Sequence, residues 1–337
     1  MVRVVEQLEA EDRLLEALDL LRSVDRAGAD PDLEEHLLRL HCAAFAHLDS
    51  PRGRDEWLPP ASDALAAPDT VPEVGADDLT PAVVSRALGD HGCLLVRGLV
   101  RPDQVRLLKQ DMDRAFDARD AVVAGVPPES TRPWFMPFMS AVPRNAKYNR
   151  DGSVRTVDSP RTFNDVMEVF GDAGVGALVA EFFGERPAMS VNKCELRRIP
   201  GGPARTPDFH QDGSFLGEDI RTLNVWLALT DCGVDAPSLD VVPRRPAGVL
   251  PTGVNRAWQS WTVSKFTVAE VLDDPPVVRP VFEPGDALLF DHLLVHRTGT
   301  SEGMQEVRYA VENWFFAPSA YPQVGPGQKR AHLPLVY

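Results

Sequence analysis

In the stretch Asp208-Phe209-His210-Gln211-Asp212-Gly213, an imidazole and a carboxylate stand two residues apart. If the segment is extended, both side chains leave the same face. Aimed at one point, they are two legs of a two-histidine, one-carboxylate set, which holds non-haem Fe(II) and leaves coordination positions open. A second stretch, Phe282-Glu283-Pro284-Gly285-Asp286-Ala287-Leu288-Leu289-Phe290, reads as a tight turn and a buried strand. It runs on to Asp291-His292-Leu293-Leu294-Val295-His296-Arg297-Thr298-Gly299. His296 is the expected third ligand, carried by a later strand, and His292, four residues earlier, is its rival. Twelve residues beyond His296, Arg308 opens the strand Arg308-Tyr309-Ala310-Val311-Glu312-Asn313-Trp314. An inward guanidinium grips a carboxylate with two parallel hydrogen bonds, which Lys does not reproduce. A metal triad beside a carboxylate clamp is what an oxygenase using iron, O2 and 2-oxoglutarate requires.

The elements that must position these groups are legible in the apolar periodicity. Residues 4–48 carry leucines at helical spacing, Leu8, Leu14, Leu15, Leu18 and Leu21, then Leu33, Leu37, Leu40 and Leu48, and predict two antiparallel helices. Asp30-Pro31 supplies an N-cap and a proline at the first helical position. Residues 50–80, rich in Pro, Asp and Ala, read as a linker. Helices are expected from Pro81 to Leu88, from Pro102 to Phe116 and over 163–183, with a buried strand at Gly92–Gly98. Short strands follow at Ala188–Arg198, Arg221–Thr230, Leu239–Val242, Val277–Phe282, Ala287–Phe290 and Arg308–Phe316, separated by Pro- and Gly-bearing turns. That pattern points to a mainly β fold with flanking helices, a sandwich or jelly roll. The expected division is an N-terminal helical extension over 1–80, a barrel domain over 81–320 and a tail over 321–337.

Taken together, these segments resemble the phytanoyl-CoA dioxygenase family of Fe(II)/2-oxoglutarate oxygenases. The similarity begins at Asp90-His91-Gly92-Cys93-Leu94-Leu95-Val96-Arg97-Gly98-Leu99 and continues through His210-Gln211-Asp212. It then takes in Leu223-Asn224-Val225-Trp226-Leu227-Ala228-Leu229-Thr230-Asp231 and ends with Gly285-Asp286, His296, Thr298 and Arg308. The resemblance implies a double-stranded β-helix (cupin-like) core, iron on His210, Asp212 and His296, and 2-oxoglutarate held by Arg308 with help from Thr298. Trp226 and Asn224 share one strand face and are further candidates for the 2-oxoglutarate pocket, as is Asn192. Asn192 and Lys193 should point to opposite faces, so one of them at most looks inward. Where the family usually carries a Pro-Gly-Ser-His turn, this chain has Pro243-Arg244-Arg245-Pro246. Related halogenases lose the carboxylate ligand, and Asp212 argues against that chemistry here.

The expected reaction couples decarboxylation of 2-oxoglutarate to hydroxylation of a small organic substrate, with release of succinate and CO2. The rival is a non-catalytic metal-binding β-helix protein acting as a sensor or scaffold. Within 130–157, Trp134, Phe138 and their apolar neighbours precede Arg144, Lys147, Arg150 and Arg155. That composition suits a lid, apolar for the body of a substrate and cationic for an acidic group. Phe215, just past the His-x-Asp stretch, is another substrate candidate. The substrate class stays open between natural-product, acyl and amino-acid types. A net charge of −15, from 35 basic and 50 acidic residues, argues against nucleic-acid binding. No apolar run approaches the ~18–20 residues of a membrane span. The N-terminus lacks the apolar core of a signal peptide, and Cys42, Cys93, Cys194 and Cys232 form no CxxC. The expectation is a cytoplasmic monomer or small homo-oligomer.

Overall fold

The computed structural model describes residues 2–26, 30–48, 58, 65–138, 152–202, 207–322 and 333–337. Three helices open the chain, α1 (Val2–Ala10), α2 (Leu14–Arg22) and α3 (Pro31–Ala43). Two were expected; Asp12, at φ 61°, turns the chain between α1 and α2 and makes the third. Asp30 caps α3, its carboxylate accepting from the Asp32 amide ahead of Pro31. Leu18, Leu21, Leu37 and Leu40 bury one another in a core of their own.

Next come β1 (Glu73–Gly75), α4 (Pro81–His91), β2 (Cys93–Arg97), α5 (Pro102–Val123) and β3 (Ser153–Arg155). The helix expected over 163–183 is two, α6 (Pro160–Asp172) and α7 (Val175–Phe183), because Gly174 adopts φ 72° between them. The remaining elements are β4 (Ala188–Ile199), α8 (Gly213–Leu216), β5 (Thr222–Ala228), β6 (Ser238–Val242), α9 (Lys265–Leu272), β7 (Ala287–Phe290), β8 (Val295–Gly299), β9 (Arg308–Phe316) and β10 (Pro334–Val336). Val277–Phe282, expected as a strand, makes only isolated bridges, Val278 to Val241 and Phe282 to Cys232. Pro280 has no amide hydrogen to give a ladder there.

The strands form a double-stranded β-helix. Its large sheet has eight strands, in the order β1-β2-β7-β5-β9-β4-β10 with β3 also on β4, and its small sheet pairs β6 with β8. Alternation gives the central strands of the large sheet two buried faces. Leu94, Val96, Val225, Leu289, Val311 and Phe315 pack outward in one core with Leu108, Met112 and Phe116 of α5 and Phe163 and Phe170 of α6. Leu95, Trp226, Leu288, Phe290, Ala310 and Trp314 pack inward with Leu239 and Val241 of the small sheet. Burial on both sides explains why these strands read as near-continuous apolar runs. The segment 321–337, expected as a tail, instead supplies β10, whose Leu335 lies in register with Met189 of β4. Val336 completes the core of the N-terminal helices, and its carbonyl accepts from His41 Nδ1 at 2.5 Å.

Candidate metal and co-substrate site

His210 and His296 are brought together by the backbone. Each donates its amide hydrogen to the other's carbonyl, at 2.9 and 3.0 Å, and the imidazole centroids lie 4.2 Å apart. Asp212 is delivered differently from expectation. The chain turns helical there (φ −65°, ψ −25°), so the carboxylate stands at the head of α8 and not on an extended strand. Gly213 permits that turn: a Cβ on it would lie 2.8 Å from Val249 Cγ2 and 3.1 Å from His292 Cδ2. Buried Gln211 fixes the segment from behind, donating to the Leu293 carbonyl and accepting from the Leu250 amide, both at 2.7 Å.

One ligand atom from each of His210, Asp212 and His296 falls within 4.8 Å of the others. His296 Nδ1 lies 3.0 Å from the Leu294 carbonyl, which only accepts, so Nδ1 is the donor and Nε2 is the nitrogen turned toward Asp212. Burial first, then neighbouring His296, push His210 down to about 3, leaving its imidazole neutral. Burial works to raise the Asp212 pKa, but Lys193, His296 and His210 outweigh it and hold the carboxyl below its ordinary range. Asp212 Oδ1 receives the Lys193 ammonium at 2.5 Å. Its Oδ2 is buried with no hydrogen-bond partner among the described residues, 3.6 Å from His296 Nε2. Two imidazole nitrogens and a carboxylate oxygen orphaned among the described residues are what a divalent cation completes. His292 lies outside this group; its Nδ1 is 3.2 Å from the Thr222 hydroxyl, and it backs the turn at Gly213.

Beyond the triad the inward face carries Arg308, only 1% exposed. Its Nη1 donates to the Ser238 carbonyl at 2.9 Å, its guanidinium sits 5.5 Å from the Trp226 ring centroid, and its Nε has no partner. Burial, then repulsion from Arg197, push its pKa down to about 10. Among the described residues no carboxylate forms an ion pair with it. Trp226 packs on Phe282 at 4.9 Å. Asn224, on the same strand face, is fully buried, and both its amide atoms lack a partner among the described residues. Thr298 follows His296 by two residues on β8, in register with Leu239. Asn192 lies half-buried in an irregular part of β4.

The mouth is aromatic. Phe215, 37% exposed, stands 6.2 Å from Trp261, 44% exposed, which meets the His210 ring edge-on at 5.7 Å. Trp261 was not a sequence candidate, because a tryptophan in an irregular segment gives no sign of what it will cover. Its loop is pinned by Asp208, which accepts from the Trp258 amide at 2.6 Å and the Thr262 hydroxyl at 3.2 Å. The other substrate candidates are not brought here. Trp134 lies under the Arg114 guanidinium of α5 at 4.7 Å, and Phe138 packs against the helix-covered core. Arg144 and Lys147 lie outside the described residues. The departure at Pro243–Pro246 is structural in effect: Arg244 pairs with Asp69, and Arg245 with Asp291 beside His292.

The family model described as phytanoyl-CoA dioxygenase (PhyH) matches residues 88–308. A comparison with curated proteins gives no significant match. Among solved structures, the apoform of EctD from S. alaskensis superposes with a TM-score of 0.55 at 17% identity, over 84% of this chain and 90% of that one. EctD with 2-oxoglutarate and 5-hydroxyectoine gives 0.53 at 18% identity, over 85% and 96%. EctD with bound Fe gives 0.51 at 18% identity, over 81% and 92%. At such identities the likeness establishes the fold, while the family match runs through all three triad residues to Arg308 and spans well over half of the chain. The chain belongs to the phytanoyl-CoA dioxygenase family.

Proposed function

We propose that this protein is a non-haem Fe(II)- and 2-oxoglutarate-dependent dioxygenase that hydroxylates a small organic substrate and releases succinate and CO2. The observation that carries the reading is the placement, inside one barrel, of the His210–Asp212–His296 group and a buried Arg308 without a carboxylate partner among the described residues. His210 and His296 would hold the iron through imidazole nitrogens and Asp212 through Oδ2. Bound there with 2-oxoglutarate and O2, iron supplies the oxidising power that removes hydrogen from a carbon centre. Arg308 grips the far carboxylate of 2-oxoglutarate, with the Thr298 hydroxyl beside it and Asn224 offering amide hydrogen bonds. Phe290, 5.0 Å from His296, and Trp314, 5.6 Å from Phe290, keep water from the inner side. Substrate enters past Phe215 and Trp261.

Anaerobic addition of Fe(II) and 2-oxoglutarate should produce the visible charge-transfer band of a chelated keto acid. Exposure to air should then yield succinate even without substrate. Metal binding with neither band nor succinate would leave a sensor or scaffold and end the oxygenase reading.

A further inference from the structure

β4 loses register with β9 between Met189 and Cys194. Val191 and Cys194 both pack into the outer core although they are three residues apart, which a regular strand forbids. The extra residue turns Lys193 inward, and its ammonium lands on Asp212 Oδ1 at 2.5 Å. Two aromatic faces hold it there, Phe215 at 4.3 Å and Trp314 at 5.4 Å from the ring centroids. The side chain is 15% exposed against 3% for Asp212.

We propose that Lys193 is a positioning residue that limits Asp212 to coordination through one oxygen. The inference rests on the triad being the iron site. A carboxylate free to rotate can grip a cation with both oxygens. That second grip would occupy a position needed by 2-oxoglutarate or O2, because three protein atoms, two keto-acid oxygens and one O2 already fill six places. With Oδ1 engaged by Lys193, only Oδ2 faces the metal, and Oδ2 is the atom left without a hydrogen-bond partner among the described residues. The residue type matters. A lysine ammonium is a point charge with no planar fork, and here it meets Oδ1, whereas the fork of arginine takes both carboxylate oxygens at once. The aromatic faces stabilise a cation close to iron without bringing in another anion that would compete for it.

Three variants separate this role from packing. Circular dichroism should show all of them folded. Lys193→Gln keeps one donor, and Fe(II) affinity, read by chelator competition, and 2-oxoglutarate affinity, read from the charge-transfer band, should both stay within about threefold of the parent. Lys193→Met releases Oδ1; iron should bind as before while 2-oxoglutarate affinity falls roughly tenfold or more, the usual scale for groups that orient a metal ligand. Lys193→Arg should weaken Fe(II) alone by a similar factor, because its fork competes for Oδ2. An unchanged 2-oxoglutarate titration in Lys193→Met, or equal loss of iron in all three variants, would overturn the proposal. If the parent itself shows no band, the oxygenase reading fails instead. The Fe(II)-only comparison of Arg with Gln still decides whether Lys193 governs the carboxylate.

Discussion

The seam between the N-terminal helices and α6 buries as much charge as the barrel chamber, yet the two regions treat it in opposite ways. At the seam, Arg26 donates to Glu34 and Asp165 at 2.9 Å and to Glu168 at 2.6 Å. Arg161 reaches Asp165 at 2.6 Å and Glu34 at 3.2 Å, and Asn164 donates to Glu34 at 2.6 Å. There the chain supplies its own counter-ions. In the chamber, among the described residues, Arg308 lacks a carboxylate, Asn224 has no partner, and Asp212 Oδ2 is orphaned. A buried polar group without a partner is costly. Among the described residues the seam also leaves Asn164 Oδ1 unpartnered, so it is the guanidinium of Arg308 lacking a counter-ion, and not unsatisfied polarity as such, that marks a ligand site.

Four experiments would break or sharpen the contrast. The largest effect belongs to the chamber. His296→Ala should abolish Fe(II) binding and succinate formation, by roughly a hundredfold or more, and leave the fold intact by circular dichroism. Full iron affinity in that variant, with loss in His292→Ala, would transfer the ligand role to His292. At the seam, Arg26→Ala leaves Glu34 and Asp165 with Arg161 as their remaining guanidinium partner and should cost about 3 kcal/mol of stability. Succinate formation per folded molecule should hardly change. A urea midpoint equal to the parent's would show that the seam charges are solvated after all.

Smaller effects follow. Arg308→Lys keeps the charge but loses the fork, so the 2-oxoglutarate KM should rise by about tenfold, a loss of ~1.5 kcal/mol. An unmoved KM would place the carboxylate clamp elsewhere. A pH slope at the seam tests the same contrast without touching the chamber. Burial first, then neighbouring Asp165, push Asp111 up to about 7. Its folded pKa exceeds the unfolded value of about 3.9, so the folded chain keeps a proton that the unfolded chain has released. Stability should therefore fall as pH rises from about 4 through about 7. Asp111→Asn should flatten that part of the urea-midpoint profile, and an identical slope in both proteins would assign the titration to another group.

Much of the architecture could be read from the chain because strands buried on both faces announce themselves as apolar runs between Pro and Gly turns. Convergence of His210, Asp212 and His296 was legible for a similar reason: each sits beside a recognisable strand or turn. What escaped depends on contacts across the fold. Asp212 was expected to share an extended face with His210, yet it heads a short helix because Gly213 fits closely against His292. Lys193 and Asn192 were placed by strict alternation, which the irregularity in β4 breaks. Trp261 gave no local signal. The helix count at the N-terminus turned on one backbone angle at Asp12, and the edge strand β10 was hidden in a segment too short and too Pro-rich to suggest pairing.

That edge strand has a kinetic consequence. Val336 fills the core of α1–α3 and accepts from His41, so segments about three hundred residues apart in sequence complete each other. Contacts of such long range form only after a large loop has been closed, and they lag behind local structure. The central strands can therefore pair, and the chamber take shape, before this clasp shuts. Hydrogen exchange during refolding should protect β5, β7 and β9 first and the α3–β10 junction last, making the clasp the final step of folding and the first seam to open.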